Sequence, residues 1–191
     1  MGQPKLLLPW GNGRLIDQVL EAWTASQVNH VVVVVRCDDP ELYRACERWP
    51  VKIVQPEDPP RDMKASIQIG LRHLESQFQP TAGDRCFIAP ADLPTLSSQL
   101  INRLMGADAD SSTIIVPRFG DKQGHPALLP WEMTSEIFRL ADDEGVDRVV
   151  ARHQKIAIPF AAEEAINDVD TLEEYQAALR SRDGDRPGSI R

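Results

Sequence analysis

The chain has 191 residues, of which 42% are hydrophobic and 26% charged, so it fits one globular domain with a buried core and is not a largely disordered chain. Its 21 Lys and Arg against 29 Asp and Glu give a net charge of -8, which would repel a polyphosphate backbone, so we expect no nucleic acid and no membrane surface as a partner. The longest apolar run, residues 31–35, is far shorter than the ~20 residues that span a bilayer, and residues 1–10 do not resemble a signal peptide, so we expect a cytoplasmic protein.

Periodicity predicts alternating helices and strands along the chain. Apolar residues first recur at helical spacing over 15–23, and residues 30–36 (HVVVVVR) form a β-branched run without alternation. Such a run is typical of a strand that is buried on both faces of a parallel sheet, with helices on either side. Further strands are predicted at 51–54, 85–89, 113–116 and 155–158, and further helices at 40–48, 67–78, 97–106, 132–141 and 171–181.

The order of these elements predicts one α/β domain. Residues 126–129 follow the strand at 113–116 after a glycine-containing loop, so we expect them to return as an antiparallel strand. The fold is then an α/β sandwich with a mostly parallel mixed sheet over residues 1–182. Residues 183–191 are polar and glycine-rich, which predicts a flexible tail.

Carboxylates follow two of the predicted strands. Asp92 comes soon after the strand at 85–89, and Asp168 and Asp170 follow the last strand region. Because ligands bind outside the carboxyl ends of parallel strands, these groups are candidates to hold a divalent cation, and their oxygen atoms suit Mg²⁺. Local structure offers another interpretation: Asp92 as a turn or helix-capping residue, and Asp168 and Asp170 as caps of the final helix.

Other polar residues also have simple structural interpretations. A lysine as close to the start as Lys5 is usually solvated, and the histidine of Gly124-His125-Pro126 is more often a loop residue than a ligand. The three cysteines form no C-x-x-C pair, so we expect small buried or half-buried thiols rather than a disulfide framework.

Five short segments, taken together, resemble a known family. They are 1–9 (MGQPKLLLP), 63–71 (MKASIQIGL), 91–94 (ADLP), 124–126 (GHP) and 168–171 (DVDT). In this order they resemble the nucleotidyltransferases related to molybdenum cofactor cytidylyltransferase, the MobA-like NTP transferases, over nearly the whole chain. The resemblance implies a GT-A-like (Rossmann-like) α/β/α fold. It also implies an enzyme that joins a nucleoside triphosphate to a phosphorylated acceptor and releases pyrophosphate.

The resemblance implies roles for three charged residues at the reacting phosphates. Lys5 would be the catalytic residue that pairs with the triphosphate as pyrophosphate leaves. Asp92 and Asp170, with Asp168 beside them, would hold the Mg²⁺ that bridges the nucleotide and acceptor phosphates.

The remaining site residues implied by the resemblance bind the two substrates. Gly2 and Ser66 would contact the nucleotide, and Gly124 and His125 would face the acceptor. Arg148 is a further candidate at the acceptor site, because residues 144–148 (EGVDR) resemble an acidic-Gly-x-x-Arg element of the family.

Three functions stay open on this basis. In the first, CTP is joined to the molybdenum cofactor pterin phosphate. CTP is favoured over GTP because residues 4–8 and 124–126 are more similar to the cytidylyl branch. In the second, the acceptor is a sugar phosphate or another small phosphorylated metabolite. In the third, the protein is not catalytic and binds the molybdenum cofactor for delivery to a partner molybdoenzyme.

The sequence departs from the family pattern in two respects. Lys64 and Ala65 stand where the family has smaller or hydroxylated residues, and Leu93 where the residue is often polar, so the base preference is left open. Family members open with a strand and a glycine-rich loop that cradles the triphosphate, whereas this sequence begins at the Met-Gly of that motif. We therefore expect the natural product to begin roughly 20 residues upstream, and a chain that begins at Met1 to be a poor catalyst.

Overall fold

The computed structural model describes residues 4–161 and, near the end of the chain, residues 175, 176 and 179. The strands are β1 (Pro9–Trp10), β2 (Gly13–Arg14), β3 (Val32–Val34), β4 (Lys52–Val54), β5 (Arg85–Ile88), β6 (Ile114–Phe119), β7 (Lys122–Gln123), β8 (Ala127–Pro130) and β9 (Lys155–Phe160). The helices are α1 (Leu15–Thr24), α2 (Pro40–Cys46), α3 (Met63–Phe78), α4 (Ser98–Met105), α5 (Thr134–Ile137) and α6 (Asp147–Arg152), with 3-10 turns at Lys5–Leu7 and Trp131–Met133. Gly2, Asp168, Asp170, most of the predicted helix at 171–181 and the predicted tail at 183–191 lie outside the described residues.

The described strands form a mixed five-stranded sheet, a separate parallel pair and a short hairpin. In the five-stranded sheet, β8 lies between β5 and β6 and is antiparallel to both, and β7 is antiparallel to β6. β9 runs parallel to β6 along its whole length. β3 and β4 form the parallel pair, and β1 and β2 form the hairpin. The prediction of an α/β fold with a mixed sheet is confirmed, and the predicted antiparallel return strand is β8.

The valine run is less deeply buried than its sequence predicts. Val35 is fully buried, whereas Val31 and the three residues of β3 are half-buried. β3 is hydrogen-bonded to β4 along one edge, and no other described strand is hydrogen-bonded to β3. Because a neighbouring strand also shields the side chains beside it, a strand that is paired along one edge only among the described residues stays partly accessible. The prediction of burial on both faces is therefore wrong for residues 31–34.

Helix α1 joins two parts of the core. Leu15 and Val19 pack with residues of α4, while Ile16 and Leu20 belong to a cluster with Val35 and residues of α2. These pairs are four residues apart, so each lies on one face of the helix. In the part of the chain that the structure describes, no helix is long and apolar enough to cross a membrane.

The cysteines behave as small core residues. All three are free thiols; Cys46 and Cys86 are buried and Cys37 is half-buried. Burial raises the pKa of Cys46 to about 11 and that of Cys86 to about 12. Both thiols are therefore protonated at neutral pH and unreactive.

The carboxylate of Asp17 fastens the start of α1 to the chain that follows α2. It accepts hydrogen bonds from the Arg14 amide at 2.9 Å, the Trp49 indole at 3.0 Å and the Arg48 guanidinium at 2.8 Å. Burial alone would raise the pKa of Asp17, but these bonds outweigh it and hold the pKa below its ordinary value.

We expect Asp17→Ala to lower the free energy of unfolding by about 1–3 kcal/mol at pH 7, because the Trp49 and Arg14 donors lose their acceptor. Since the folded-state pKa lies below the ordinary value of 3.8, this stabilisation is complete above pH 3.8 and is lost as the pH falls through the folded-state pKa. Urea unfolding of both proteins across this range measures the difference. The control is Asp38→Ala, whose exposed ion pair with Arg36 is screened by solvent and is expected to contribute little to the free energy of unfolding. A difference at Asp17 that does not change with pH would contradict the prediction.

Candidate active site

The sheet topology brings several strand ends to one edge. Ile88 pairs with Ala127 in the antiparallel ladder of β5 and β8, so the residues after β5 lie beside the residues before β8. This places Asp92 and the Gly124-His125-Pro126 segment on neighbouring parts of the same edge. Phe119 and Phe160, the last residues of β6 and β9, are register partners at this end of the sheet. β9 therefore ends at the same end of the sheet as β6.

A lysine and a carboxylate from distant parts of the chain meet at this edge. Lys5 Nζ lies 2.5 Å from Asp92 Oδ2, and the two side chains are 22% and 21% exposed. The residues that follow each of them are anchored in the core: Leu8 is buried, and Leu93 is completely buried. The structural interpretation of Lys5 as a solvated lysine is therefore wrong, because its ammonium is held at a partly buried ion pair.

Asp92 is not a helix cap. The N-cap of α4 is Ser97, whose hydroxyl oxygen accepts a hydrogen bond from the Leu100 amide at 3.2 Å. The second carboxylate oxygen of Asp92, Oδ1, is buried and has no hydrogen-bond partner among the described residues. A buried anionic oxygen needs a cation or a donor to offset its lost hydration, so the chemistry of this atom fits a metal ion.

The described residues supply only part of a metal site. They contain no group of three or more His, Cys, Asp or Glu side chains placed to hold one ion. Asp92 is thus the one described member of the predicted ligand set, and Asp168 and Asp170 lie outside the described residues.

The backbone of the Gly124-His125-Pro126 segment packs closely against β6. The Gly124 amide donates to the Pro117 carbonyl at 3.0 Å, and a Cβ on Gly124 would lie 3.1 Å from the Phe119 ring. Any other residue at 124 would therefore press on this ring. Pro126 is buried behind the segment, and the His125 side chain is exposed. His125 is thus accessible to a ligand at the end of the sheet where Asp92 lies.

The segment that contains Ser66 forms the first turn of α3. Asp62 caps this helix by accepting from the Ala65 amide at 2.7 Å, and the Ser66 hydroxyl donates to the Asp62 carbonyl at 3.2 Å. Met63 is 66% exposed in the same turn. Among the described residues, no hydrogen bond or ion pair joins this turn to Asp92, so the structure does not bring Ser66 into contact with the ion pair.

Arg148 lies in α6, and Lys64 contacts the loop that precedes this helix. Arg148 is exposed in the first turn of α6, a helix that the periodicity did not predict. Lys64, which stands out in the sequence as a departure from the family pattern, is buried and donates to backbone carbonyls of the loop before α6. The buried position of Leu93 likewise gives that departure a packing role. A lysine among the apolar positions of α3 was the sequence signal that Lys64 has a special contact. The sequence does not show which groups Lys64 binds.

The strand ends thus present a partly buried lysine–carboxylate pair at one edge of the sheet of an α/β protein. The chain belongs to the MobA-like NTP transferase family, whose domain matches residues 1–156. It is 21% identical to the molybdenum cofactor cytidylyltransferase of Escherichia coli K12, over 93% of this chain and 88% of that protein. It is 28% identical to the purine catabolism protein PucB of Bacillus subtilis 168, over 95% of this chain and 90% of that protein.

Solved structures share the fold. The manganese complex of Rv0371c from Mycobacterium tuberculosis H37Rv superposes with a TM-score of 0.72 at 23% identity, covering 94% of this chain and 93% of that one. The predicted resemblance to the MobA-like NTP transferases is thereby confirmed, and so is the α/β fold that the resemblance implies.

Proposed function

We propose that the protein is a Mg²⁺-dependent nucleotidyltransferase that joins CTP, or another nucleoside triphosphate, to a phosphorylated acceptor. The acceptor that we favour is the molybdenum cofactor pterin phosphate, because a molybdenum cofactor cytidylyltransferase is among the relatives. The observation that carries the proposal is the pairing of Lys5 with Asp92 at the carboxyl end of β5. The Lys5 ammonium can pair with phosphate oxygens, and Asp92 Oδ1, which has no hydrogen-bond partner among the described residues, can bind the metal ion that accompanies a triphosphate.

The proposed reaction transfers a nucleotidyl group. An acceptor phosphate oxygen bonds to the α-phosphorus of the nucleotide, the bond from that phosphorus to the bridging oxygen breaks, and pyrophosphate leaves with the electron pair. Both substrates are anions, so the site must supply positive charge and alignment rather than a strong base. The Lys5 ammonium exchanges its bond to Asp92 for the triphosphate and stabilises the negative charge that grows on the leaving pyrophosphate.

Asp92 would hold Mg²⁺ through its free carboxylate oxygen, with Asp168 and Asp170 as the proposed further ligands. When bound, Mg²⁺ neutralises phosphate charge and orients the two substrates. A manganese complex of a structural relative supports a divalent cation for this fold.

The other site residues divide between the two substrates. We assign Gly2 and Ser66 to the nucleotide, and Gly124, His125 and Arg148 to the acceptor. The exposed His125 and the tightly packed Gly124 backbone support the acceptor assignment, because they border the same edge as Asp92. We further propose a cytoplasmic location, one domain over residues 1–182 with a tail at 183–191, and a molybdoenzyme as the protein that receives the product.

Calorimetric titration of CTP and then GTP, with and without Mg²⁺, tests the nucleotide half of the proposal. We expect binding that requires Mg²⁺ and is tighter for CTP. The acceptor half is tested by mixing the protein with CTP, Mg²⁺ and either the pterin phosphate or a competing sugar phosphate, with pyrophosphate release followed by ³¹P NMR.

The outcomes separate the candidate functions. Pyrophosphate release with the sugar phosphate alone would replace the proposed acceptor by the second candidate. A folded protein that binds the pterin phosphate but no nucleotide would contradict catalysis and favour a cofactor-delivery protein.

A further inference from the structure

The first turn of α3 contains a buried lysine whose donors are all used. Lys64 is only 6% exposed, and a lysine is almost never buried to this degree unless it is paired. Its Nζ donates to the carbonyl oxygens of Ala141, Asp142 and Glu144, the last two at 3.1 and 2.9 Å. An ammonium has three donors, and here each of the three finds a backbone acceptor.

The loop whose carbonyls bind Lys64 also has hydrogen bonds of its own. The Glu144 amide donates to the Ala141 carbonyl at 3.1 Å, and the Glu144 carboxylate accepts from the Ala141 amide at 3.1 Å. The same carboxylate forms an ion pair with Arg152 in α6. Residues 141–144, which we call the carbonyl turn, are therefore linked both to α3 and to α6.

A second side chain of α3 also binds a main-chain carbonyl near this turn. Gln68 lies four residues after Lys64, on the same face of the helix, and donates to the Ile137 carbonyl at 2.9 Å. α3 thus holds the whole stretch from Ile137 to Glu144 through main-chain oxygens. Bonds of this kind fix the position of the backbone rather than that of a mobile side chain.

The carbonyl turn lies directly before α6, whose first turn contains Arg148. We propose that Lys64 is a positioning residue: it sets the carbonyl turn, and through it Arg148, in the place where Arg148 binds the phosphate group of the acceptor. This inference rests on the proposed function in assigning Arg148 to the acceptor. It adds Lys64, which lies in the same helical turn as Ser66, as a residue that affects the affinity for the acceptor.

The variant Lys64→Met tests the proposal, because methionine fills similar space and has no donor. We expect faster amide hydrogen exchange over residues 138–148. We also expect a dissociation constant for inorganic phosphate, used as the probe for the acceptor's phosphate group, that is about tenfold higher than in the wild type. The affinity for CTP is expected to change less than about twofold, since the three hydrogen bonds of the Lys64 ammonium all go to the carbonyl turn and none goes to Asp92.

Two further variants make the test specific. Arg61→Gln removes an ion pair to the same turn, between side chains that are 62% and 88% exposed, and should leave phosphate binding unchanged. Lys64→Arg keeps a charged donor at the turn but not the compact ammonium that meets three carbonyls, so it should restore the phosphate affinity only in part. Because the proposal routes the effect through Arg148, adding Lys64→Met to Arg148→Gln should weaken phosphate binding no further.

The possible failures can be told apart. Unchanged hydrogen exchange at 138–148, or a full additional loss of phosphate affinity in the double variant, overturns the role of Lys64 whether or not the protein transfers nucleotides. Absence of nucleotidyl transfer by the wild type overturns the proposed function, while the double-variant comparison still decides whether Lys64 positions Arg148.

Discussion

Replacement of Asp92 by asparagine is expected to abolish the Mg²⁺-dependent part of nucleotide binding and to lower kcat/KM by about 100-fold or more. The amide is nearly the same size as the carboxylate, but it carries no charge and binds a divalent cation poorly. The Asp92 oxygen that has no partner among the described residues would then no longer attract a metal ion. Titration of CTP at several Mg²⁺ concentrations measures the loss directly.

The fold is expected to survive this change. Leu93 and Leu96 are completely or almost completely buried next to Asp92 and fix the segment independently of its charge. The matched control is Asp121→Asn, the same chemical change at an exposed aspartate in the turn after β6. A CTP affinity that still depends on Mg²⁺ in Asp92→Asn, in a folded protein, would refute the metal role of this residue.

The sequence predicted the elements whose signals are local. The helices α1 to α4 follow from apolar periodicity, although α3 begins at Met63, four residues before its predicted start, where Asp62 accepts a hydrogen bond from the Ala65 amide. The antiparallel strand β8 could be predicted because only a short glycine-containing loop separates it from β6 in the sequence. β6 and β9 extend beyond their predicted ends, to Phe119 and Phe160, because each is the other's parallel partner, a contact that local patterns do not contain.

Elements that depend on distant contacts were predicted less well. The predicted helix at 132–141 is a 3-10 turn followed by the four-residue α5, and the chain then leaves the helix. Gln68 donates a hydrogen bond to the carbonyl of Ile137, and Lys64 donates to carbonyls of the next turn, so tertiary hydrogen bonds replace helical ones. The hairpin of β1 and β2 was missed, although Gly11, with a φ of 63°, is the residue type that such a turn favours.

The candidate site shows the same division. Asp92 could be found because strand ends are recognisable in a sequence and ligands bind outside the carboxyl ends of parallel strands. Its ion pair with Lys5 joins residues 87 positions apart, so only the family resemblance, and not the local pattern, pointed to Lys5. Lys64 was singled out only as a departure, since the main-chain carbonyls that it binds leave no mark in the sequence.

Replacement of Lys5 by methionine is expected to lower kcat by about 100- to 1000-fold, because the growing negative charge on the leaving pyrophosphate loses its ammonium partner. The dependence of CTP binding on Mg²⁺ should remain, since Asp92 keeps both carboxylate oxygens, and this distinguishes Lys5→Met from Asp92→Asn. Single-turnover measurement of pyrophosphate release separates the chemical step from nucleotide binding.

The control for Lys5→Met is Lys122→Met, at an exposed lysine in β7, which should leave kcat unchanged. Lys5→Arg should restore little of the rate, because the compact ammonium at 2.5 Å from Asp92 is replaced by a larger planar group that cannot occupy the same partly buried position. A kcat for Lys5→Met within about threefold of the wild type would show that Lys5 only pairs with Asp92, and the charge on the leaving group would then have to be stabilised by other residues.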